Sequence, residues 1–168
     1  ILDVPVVIMA GGYGKRLEPF TKVLPKPLIP VHEKPIIEHI IERFLNVGVD
    51  KFWLTVNYKS RIMKAYFQDQ NPAYSLKFID EPEPMGTAGG LKYLRKNIST
   101  PFFVTNCDII INTDYKRILA FHIEHEHAIT LVGSAVHYQI PYGTCVLNKK
   151  GSLDHIDEKP RFDFIVNT

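Results

Sequence analysis

Apolar and polar positions follow one another along the chain in blocks that predict alternating strands and helices. Residues 4–9 form a continuous apolar run rich in β-branched side chains, which is typical of a strand buried on both faces. Residues 35–46 carry apolar side chains at helical spacing, with Pro35 suited to the first turn and Gly48 suited to the stop. The two patterns recur along the first two thirds of the chain.

The remaining blocks predict further elements in the same order. We expect strands at residues 52–56, 76–79, 102–105, 129–136, 143–147, 153–157 and 164–166, and helices at 60–67, 86–96 and 114–126. Ser60 and Asp114 are predicted to cap the helices that they begin. The stretch 19–35 contains five prolines among apolar residues, which predicts a long ordered loop. The repeated strand–helix order predicts an α/β fold with a Rossmann-like, three-layer α/β/α architecture, a mostly parallel sheet and late antiparallel strands.

Composition and charge are those of one ordinary folded domain. The chain has 168 residues, of which 45% are hydrophobic and 23% are charged, and its formal net charge is +2. These values exclude a disordered chain, and the apolar runs are far shorter than the roughly 20 residues that cross a membrane. The scattered positive charge predicts no nucleic-acid partner. Two cysteines without a pairing motif, and no targeting segment, favour a cytoplasmic protein.

Glycine-rich or charged segments follow three of the predicted strands, at residues 11–16, 81–90 and 106–108. The first strand ends in Ala10-Gly-Gly-Tyr-Gly-Lys-Arg16, in which a glycine backbone can approach an anion and Arg16 adds a cation. Its spacing differs from the Walker loop and from the dinucleotide-binding loop. Lys26 lies between two prolines, which hold its backbone in a fixed place. Alone, a glycine-rich segment of this kind is more often only a tight turn, and Lys26 is equally compatible with an exposed lysine. However, ligands bind beyond the carboxyl ends of parallel strands.

Taken together, these segments resemble a known family. Residues 9–31, MAGGYGKRLEPFTKVLPKPLIPV, resemble the opening signature of the sugar-1-phosphate nucleotidylyltransferases, also called nucleoside-diphosphate-sugar pyrophosphorylases, whose pattern is roughly GGxGxRLxP…PKPLxPV. Residues 83–91, EPMGTAGGL, resemble the nucleobase-binding turn of mannose- and heptose-1-phosphate guanylyltransferases. Four further family segments are matched in order at residues 106–108, 141–143, 158–160 and 167–168.

The resemblance implies a reaction and a set of site residues. The family transfers a nucleotidyl group from a nucleoside triphosphate to a sugar 1-phosphate and releases pyrophosphate, so positioning and charge neutralisation dominate. By this resemblance, Arg16 and Lys26 are expected to be catalytic residues that act on the phosphates, and Asp108 is expected to bind Mg²⁺. The expected nucleotide-binding residues are Ala10, Gly11, Gly12, Gly14, Glu83, Gly86, Thr87 and Ala88. The expected sugar-phosphate-binding residues are Gly143, Glu158, Lys159 and Asn167.

Guanine is the base that the predicted turn favours. Guanine presents N1–H and an amino group as donors, which backbone carbonyls or the carboxylate of Glu81 or Glu83 can accept. UTP, dTTP and CTP are alternatives, as are a glycosyltransferase and a non-catalytic regulatory homologue. The sequence Asn106-Cys-Asp108 in place of Asp-x-Asp counts against the glycosyltransferase. The presence of the expected basic residues and of Asp108 counts against the regulatory homologue.

The resemblance also predicts what surrounds the chain. We expect residues 1–168 to be a nucleotidyltransferase catalytic domain that continues beyond Thr168, where the family has a second metal-binding aspartate. A regulatory domain before Ile1 and assembly into a homo-oligomer are compatible with the family. No membrane partner is expected.

Overall fold

The computed structural model describes residues 2–83, 85–94 and 97–167, with the side chain of Asn167 excepted. The chain divides into two units, Ile1–Ala120 and Phe121–Thr168. Within the described residues, every helix is too short or too polar to cross a bilayer.

A parallel sheet of four strands forms the centre of the first unit. The strands of this unit are β1 (Val6–Met9), β2 (Pro30–Val31), β3 (Lys34–Pro35), β4 (Lys51–Val56), β5 (Ser75–Asp80) and β6 (Phe103–Asn106). The sheet has the order β5-β4-β1-β6, so β1 is a central strand. Val6 pairs with Phe52 on one side and with Phe103 on the other. Because both faces of β1 are covered, Val6, Val7 and Ile8 are fully buried, as the continuous apolar run predicts.

Helical segments cover both faces of this sheet. The α-helices are α1 (Ile36–Leu45), α2 (Ser60–Gln70) and α3 (Tyr115–Glu124). Val6 and Ile8 point to one face, where they form the main core with side chains of all three helices. Val7 and Met9 point to the other face, where they pack with Leu94 of a 3₁₀-helix, Gly89–Leu94. The predicted three-layer α/β/α architecture is therefore confirmed.

The proline-rich stretch is an ordered series of short turns. Three 3₁₀ turns follow one another at Lys15–Leu17, Phe20–Lys22 and Lys26–Leu28. The pairing of β2 with β3 then leads into α1. Pro27 and Leu28 are buried. The stretch is therefore packed against the first unit, as the apolar residues among its prolines predict.

Two of the predicted elements differ in type or position. The helix predicted at 86–96 is a 3₁₀-helix over Gly89–Leu94, because two successive glycines weaken an α-helix. Residues 95 and 96 lie outside the described residues. The strand predicted at 129–136 is found at Gly133–Gln139, so the apolar positions before Gly133 precede the strand.

The two predicted helix caps have opposite outcomes. The Oδ1 atom of Asp114 accepts hydrogen bonds from the backbone N–H groups of Lys116 (3.0 Å) and Arg117 (3.2 Å), which confirms it as the cap of α3. Ser60 is the first residue of α2 and caps nothing. The position before it is Lys59, which has a φ of 55° and makes no side-chain cap.

Two antiparallel pairs of strands make up the second unit. They are formed by β7 (Gly133–Gln139), β8 (Thr144–Leu147), β9 (Leu153–Asp157) and β10 (Arg161–Asn167). β7 pairs with β10, and β8 pairs with β9. The backbone N–H of Gly151 donates to the carbonyl of Asn148 (3.0 Å) in the predicted turn between β8 and β9. The late antiparallel strands are therefore confirmed.

Candidate active site

The glycine-rich loop leaves the middle of the sheet at its carboxyl edge, because it follows the central strand β1. Gly14 has a φ of 65°, and a Cβ there would lie 2.7 Å from Cγ2 of Thr21. Both the conformation and the close approach require glycine. The buried hydroxyl of Thr21 donates to the carbonyl of Gly14 (3.1 Å) and fixes the loop.

Lys26 and Asp108 form an ion pair at the same edge. Lys26 packs beside the glycine-rich loop, since a Cβ at Gly14 would lie 3.1 Å from the Cβ of Lys26. Asp108 follows β6, the strand next to β1. Their side chains are 25% and 35% exposed, so a ligand can reach both. The structure thus brings together a predicted phosphate-binding residue and the predicted metal ligand.

Arg16 lies in the 3₁₀ turn Lys15–Leu17, directly after the glycine-rich loop, and is exposed. In the part of the chain that the structure describes, its side chain has no hydrogen bond or ion pair. The guanidinium group is therefore available to an anionic ligand without breaking another interaction.

Glu81 is a buried carboxylate between the two glycine-rich turns. It follows β5 and is 6% exposed. A Cβ at Gly11 would lie 3.0 Å from its Oε1 atom, and a Cβ at Gly90 would lie 2.4 Å from the same atom. Glycine at both positions therefore makes room for the carboxylate.

The predicted base turn beside Glu81 is mostly exposed. Glu83, Gly86, Thr87 and Ala88 all have exposed positions. Pro84 lies outside the described residues. Of the two carboxylates that the sequence offers as acceptors for guanine, Glu81 is the one held between the glycine-rich loop and this turn.

Residues 57–59, which the sequence did not single out, hold the segment at Glu81 and the segment at residues 21–22 in place at this edge. The side-chain amide of Asn57 donates to the carbonyl of Glu81 (2.6 Å). Tyr58 donates through its hydroxyl to the carbonyl of Thr21 (3.4 Å), and the Lys59 ammonium donates to the carbonyl of Lys22 (2.5 Å). Their position could have indicated this role, because all three side chains have polar ends and follow the carboxyl end of β4, the edge at which ligands bind.

Cys107, beside Asp108, is neutral. Burial raises the pKa of its thiol to about 12, and the Asp108 carboxylate adds to this shift. The thiol is therefore protonated at neutral pH and packs in the main core. Asp108 is the side chain of this strand end that carries charge toward a ligand.

Three residues predicted to bind the sugar phosphate come together in the second unit. A Cβ at Gly143 would lie 3.0 Å from Oε2 of Glu158, because the strands that follow Gly143 and precede Glu158 pair with each other. Lys159 comes next, with a φ of 49°, and its carbonyl accepts a hydrogen bond from Gln139 (3.3 Å). Asn167 ends β10, and its side chain lies outside the described residues.

The residues at this edge fit a Mg²⁺ ion that is bound by one carboxylate of the protein and by the phosphates of a ligand. Among the described residues there is no group of three or more His, Cys, Asp or Glu side chains that could hold a metal. Mg²⁺ is commonly bound by one or two carboxylates together with substrate phosphates. The accessible Asp108 carboxylate beside the glycine-rich loop suits that arrangement.

Comparison with known proteins places the chain in a family. Residues 5–166 match the nucleotidyl transferase family. Mannose-1-phosphate guanyltransferases from Hypocrea jecorina, Candida albicans and Saccharomyces cerevisiae are 37%, 38% and 36% identical to the chain over 96% of its length. The chain belongs to the nucleotidyl transferase family, which confirms the resemblance. It spans about half the length of these relatives, namely 46% of each.

Solved structures share the fold of this chain. The crystal structure of HddC from Yersinia pseudotuberculosis superposes with a TM-score of 0.73 at 29% identity, covering 98% of this chain and 73% of HddC. HddC complexed with GMP-PN superposes with a TM-score of 0.67 at 26% identity, with the same coverage. Both comparisons confirm the predicted α/β fold.

Proposed function

We propose that the chain binds GTP at the carboxyl edge of its parallel sheet and transfers the GMP moiety to a sugar 1-phosphate, with release of pyrophosphate. One observation carries this proposal: the Lys26–Asp108 pair, the glycine-rich loop and the buried Glu81 lie at one edge of one sheet. They would supply a cation and backbone amides for phosphates, a ligand for a metal and an acceptor for a base. The relatives named as mannose-1-phosphate guanyltransferases support the same reaction.

Glu81 is the residue that selects guanine in this proposal. Its carboxylate offers two acceptor oxygens, and guanine offers two neighbouring donors, N1–H and the 2-amino group. Uracil would place a carbonyl oxygen against the same carboxylate and leave buried polar groups unpaired. The complex of the structural relative HddC with GMP-PN supports a guanine nucleotide in this fold.

The phosphate-binding part of the site would consist of backbone amides and two cations. Residues 10–14 would approach the triphosphate through their backbone, and residues 86–88 would border the nucleoside. Arg16 and Lys26 would neutralise the charge that develops on the phosphates when a sugar-phosphate oxygen attacks the α-phosphorus in line. Asp108 would hold Mg²⁺, whose chemistry is to neutralise and orient phosphate oxygens.

The sugar 1-phosphate would be bound by residues of the second unit. The Lys159 ammonium would contact its phosphate, and the Glu158 carboxylate would accept hydrogen bonds from sugar hydroxyls. Gly143 would leave space for the sugar beside Glu158, and Asn167 would complete this group. In this proposal, residues 1–168 act as a nucleotidyltransferase catalytic domain.

The experiment is a panel of GTP, UTP, dTTP and CTP, each incubated with Mg²⁺, the chain and one of several sugar 1-phosphates, including mannose 1-phosphate. We expect GTP to give the most pyrophosphate, and only when a sugar 1-phosphate is present. In a parallel incubation with a nucleotide-sugar and an acceptor sugar, transfer of the sugar without release of pyrophosphate would instead identify a glycosyltransferase. Nucleotide binding without pyrophosphate from any pair would identify a non-catalytic homologue.

A further inference from the structure

The Lys26 ammonium and the Asp108 carboxylate are bonded to each other, although the proposed function gives them different ligands. On that function, Lys26 binds phosphate and Asp108 binds a divalent cation. We infer that Lys26 occupies Asp108 until a metal–triphosphate complex arrives, so that metal binding at Asp108 and phosphate binding at Lys26 are coupled. This inference rests on the proposed function and adds the order in which its charged groups are used.

The backbone around Lys26 is fixed, so only its side chain can exchange partners. The N–H of Leu28 donates to the carbonyl of Pro25 (2.9 Å), and the N–H of Ile29 donates to the carbonyl of Lys26 (3.2 Å). Pro25 and Pro27 are buried on either side. A flexible four-carbon stem on a fixed backbone lets the ammonium move between two nearby anions.

The ion pair makes the carboxylate a poorer ligand for a free metal ion. Both side chains are partly buried, so water screens their attraction less than it would on an open surface. A lone cation must displace the ammonium, which would then lose its partner. A triphosphate that arrives with the metal supplies new oxygens for the ammonium, so each ligand improves the binding of the other.

The experiment measures Mn²⁺ binding to the 168-residue chain without nucleotide, by the electron paramagnetic resonance signal of free Mn²⁺. Lys26→Met removes the ammonium and keeps the stem. The matched control is Lys22→Met, which removes the same charge from the same loop but breaks a pair with Glu18 (3.7 Å). We expect Lys26→Met to bind Mn²⁺ at least about threefold tighter than the unchanged chain, and Lys22→Met to stay within about twofold.

One further variant and one further measurement keep the result interpretable. Lys26→Arg retains a cation and should bind Mn²⁺ as weakly as the unchanged chain, which separates loss of charge from disturbed folding. Adding a non-hydrolysable GTP analogue should tighten Mn²⁺ binding more in the unchanged chain than in Lys26→Met.

Each outcome decides a separate point. Equal Mn²⁺ affinity in Lys26→Met and Lys22→Met would overturn the inference even if the chain makes pyrophosphate from GTP. Loss of Mn²⁺ binding in Asp108→Asn supports Asp108 as the shared partner, whereas retained binding would overturn both the inference and the proposed metal role. The proposed function fails separately, when no nucleoside triphosphate yields pyrophosphate.

Discussion

The two units of the chain hold their strands in different ways. In the first unit, Val6 and Phe52 on neighbouring strands are 0% and 1% exposed. In the second unit, Tyr138 on β7 is 60% exposed and Ile165 on β10 is 85% exposed. The first sheet is therefore stabilised by burial of apolar surface, while the strand pairs of the second unit are joined by backbone hydrogen bonds and leave these side chains exposed.

This difference extends to the candidate site residues. Glu81 and Lys26 belong to segments that the core of the first unit holds in place from several sides. Lys159 is exposed, and among the described residues its only hydrogen bond is the one that its backbone carbonyl accepts from Gln139. We therefore expect the proposed nucleotide-binding residues to be preorganised, and the proposed sugar-phosphate-binding residues to gain most of their order from the ligand.

Truncating one phenylalanine in each unit tests the difference in packing between the two units, and its expected effect is the largest. Phe52→Ala should lower the free energy of unfolding by about 3–5 kcal/mol, because it opens a cavity in the main core. Phe164→Ala, on β10 and 54% exposed, should cost less than about 1 kcal/mol. Urea unfolding followed by circular dichroism measures both. Similar losses in the two variants would show that the second unit is as well packed as the first.

The two cysteines allow the burial of the two units to be compared by chemical labelling, because Cys107 is buried and Cys145 is exposed. Because the pKa of Cys107 is about 12, we expect its thiol to react with iodoacetamide at pH 8 at least about 100-fold more slowly than the exposed Cys145. The raised pKa also means that the unfolded chain ionises first, so the free energy of unfolding should fall as pH rises from about 9 toward 12. Mass spectrometry of labelled peptides gives the two rates. Equal labelling in the folded chain would contradict the burial of Cys107.

Asp108→Asn tests the charged part of the site in the first unit. Removing the carboxylate should lower the rate of pyrophosphate release from GTP at least about 100-fold, since a group that positions the phosphates is lost. Asp50→Asn, at the opposite end of the sheet before β4, serves as the control and should retain the rate. Near-normal turnover of Asp108→Asn at saturating Mg²⁺ would remove Asp108 from the mechanism.

Lys159→Ala tests the proposed sugar-phosphate-binding residue of the second unit, and its expected effect on the kinetics is smaller. We expect the KM for the sugar 1-phosphate to rise about tenfold and the KM for GTP to change less than twofold. Lys150→Ala, in the turn between β8 and β9, removes the same charge from the same unit and should change neither. Equal increases in both KM values for Lys159→Ala would contradict the division between the two ligands.

Local patterns predicted most of the helices and strands and the segments that carry charge, but not the 3₁₀ form of Gly89–Leu94 or the position of β7. The apolar run at residues 4–9 predicts β1, and the glycines that follow it predict the loop, because both features depend on neighbouring residues. The roles of Asn57 and Tyr58 were not predictable, since their partners Glu81 and Thr21 lie 24 and 37 residues away. Burial of Glu81 likewise depends on Gly11 and Gly90, which only the folded sheet brings to it.

In the proposed function, Glu81 makes this edge of the sheet a guanine nucleotide site. Displacement of a fluorescent GTP derivative by GTP or UTP tests it in the unchanged chain, in Glu81→Gln and in the control Glu83→Gln. We predict that the unchanged chain and Glu83→Gln bind GTP at least about tenfold tighter than UTP, and that Glu81→Gln loses most of this preference because an amide replaces one acceptor by a donor. A preference for UTP in the unchanged chain, or an unchanged GTP preference in Glu81→Gln, would contradict the claim.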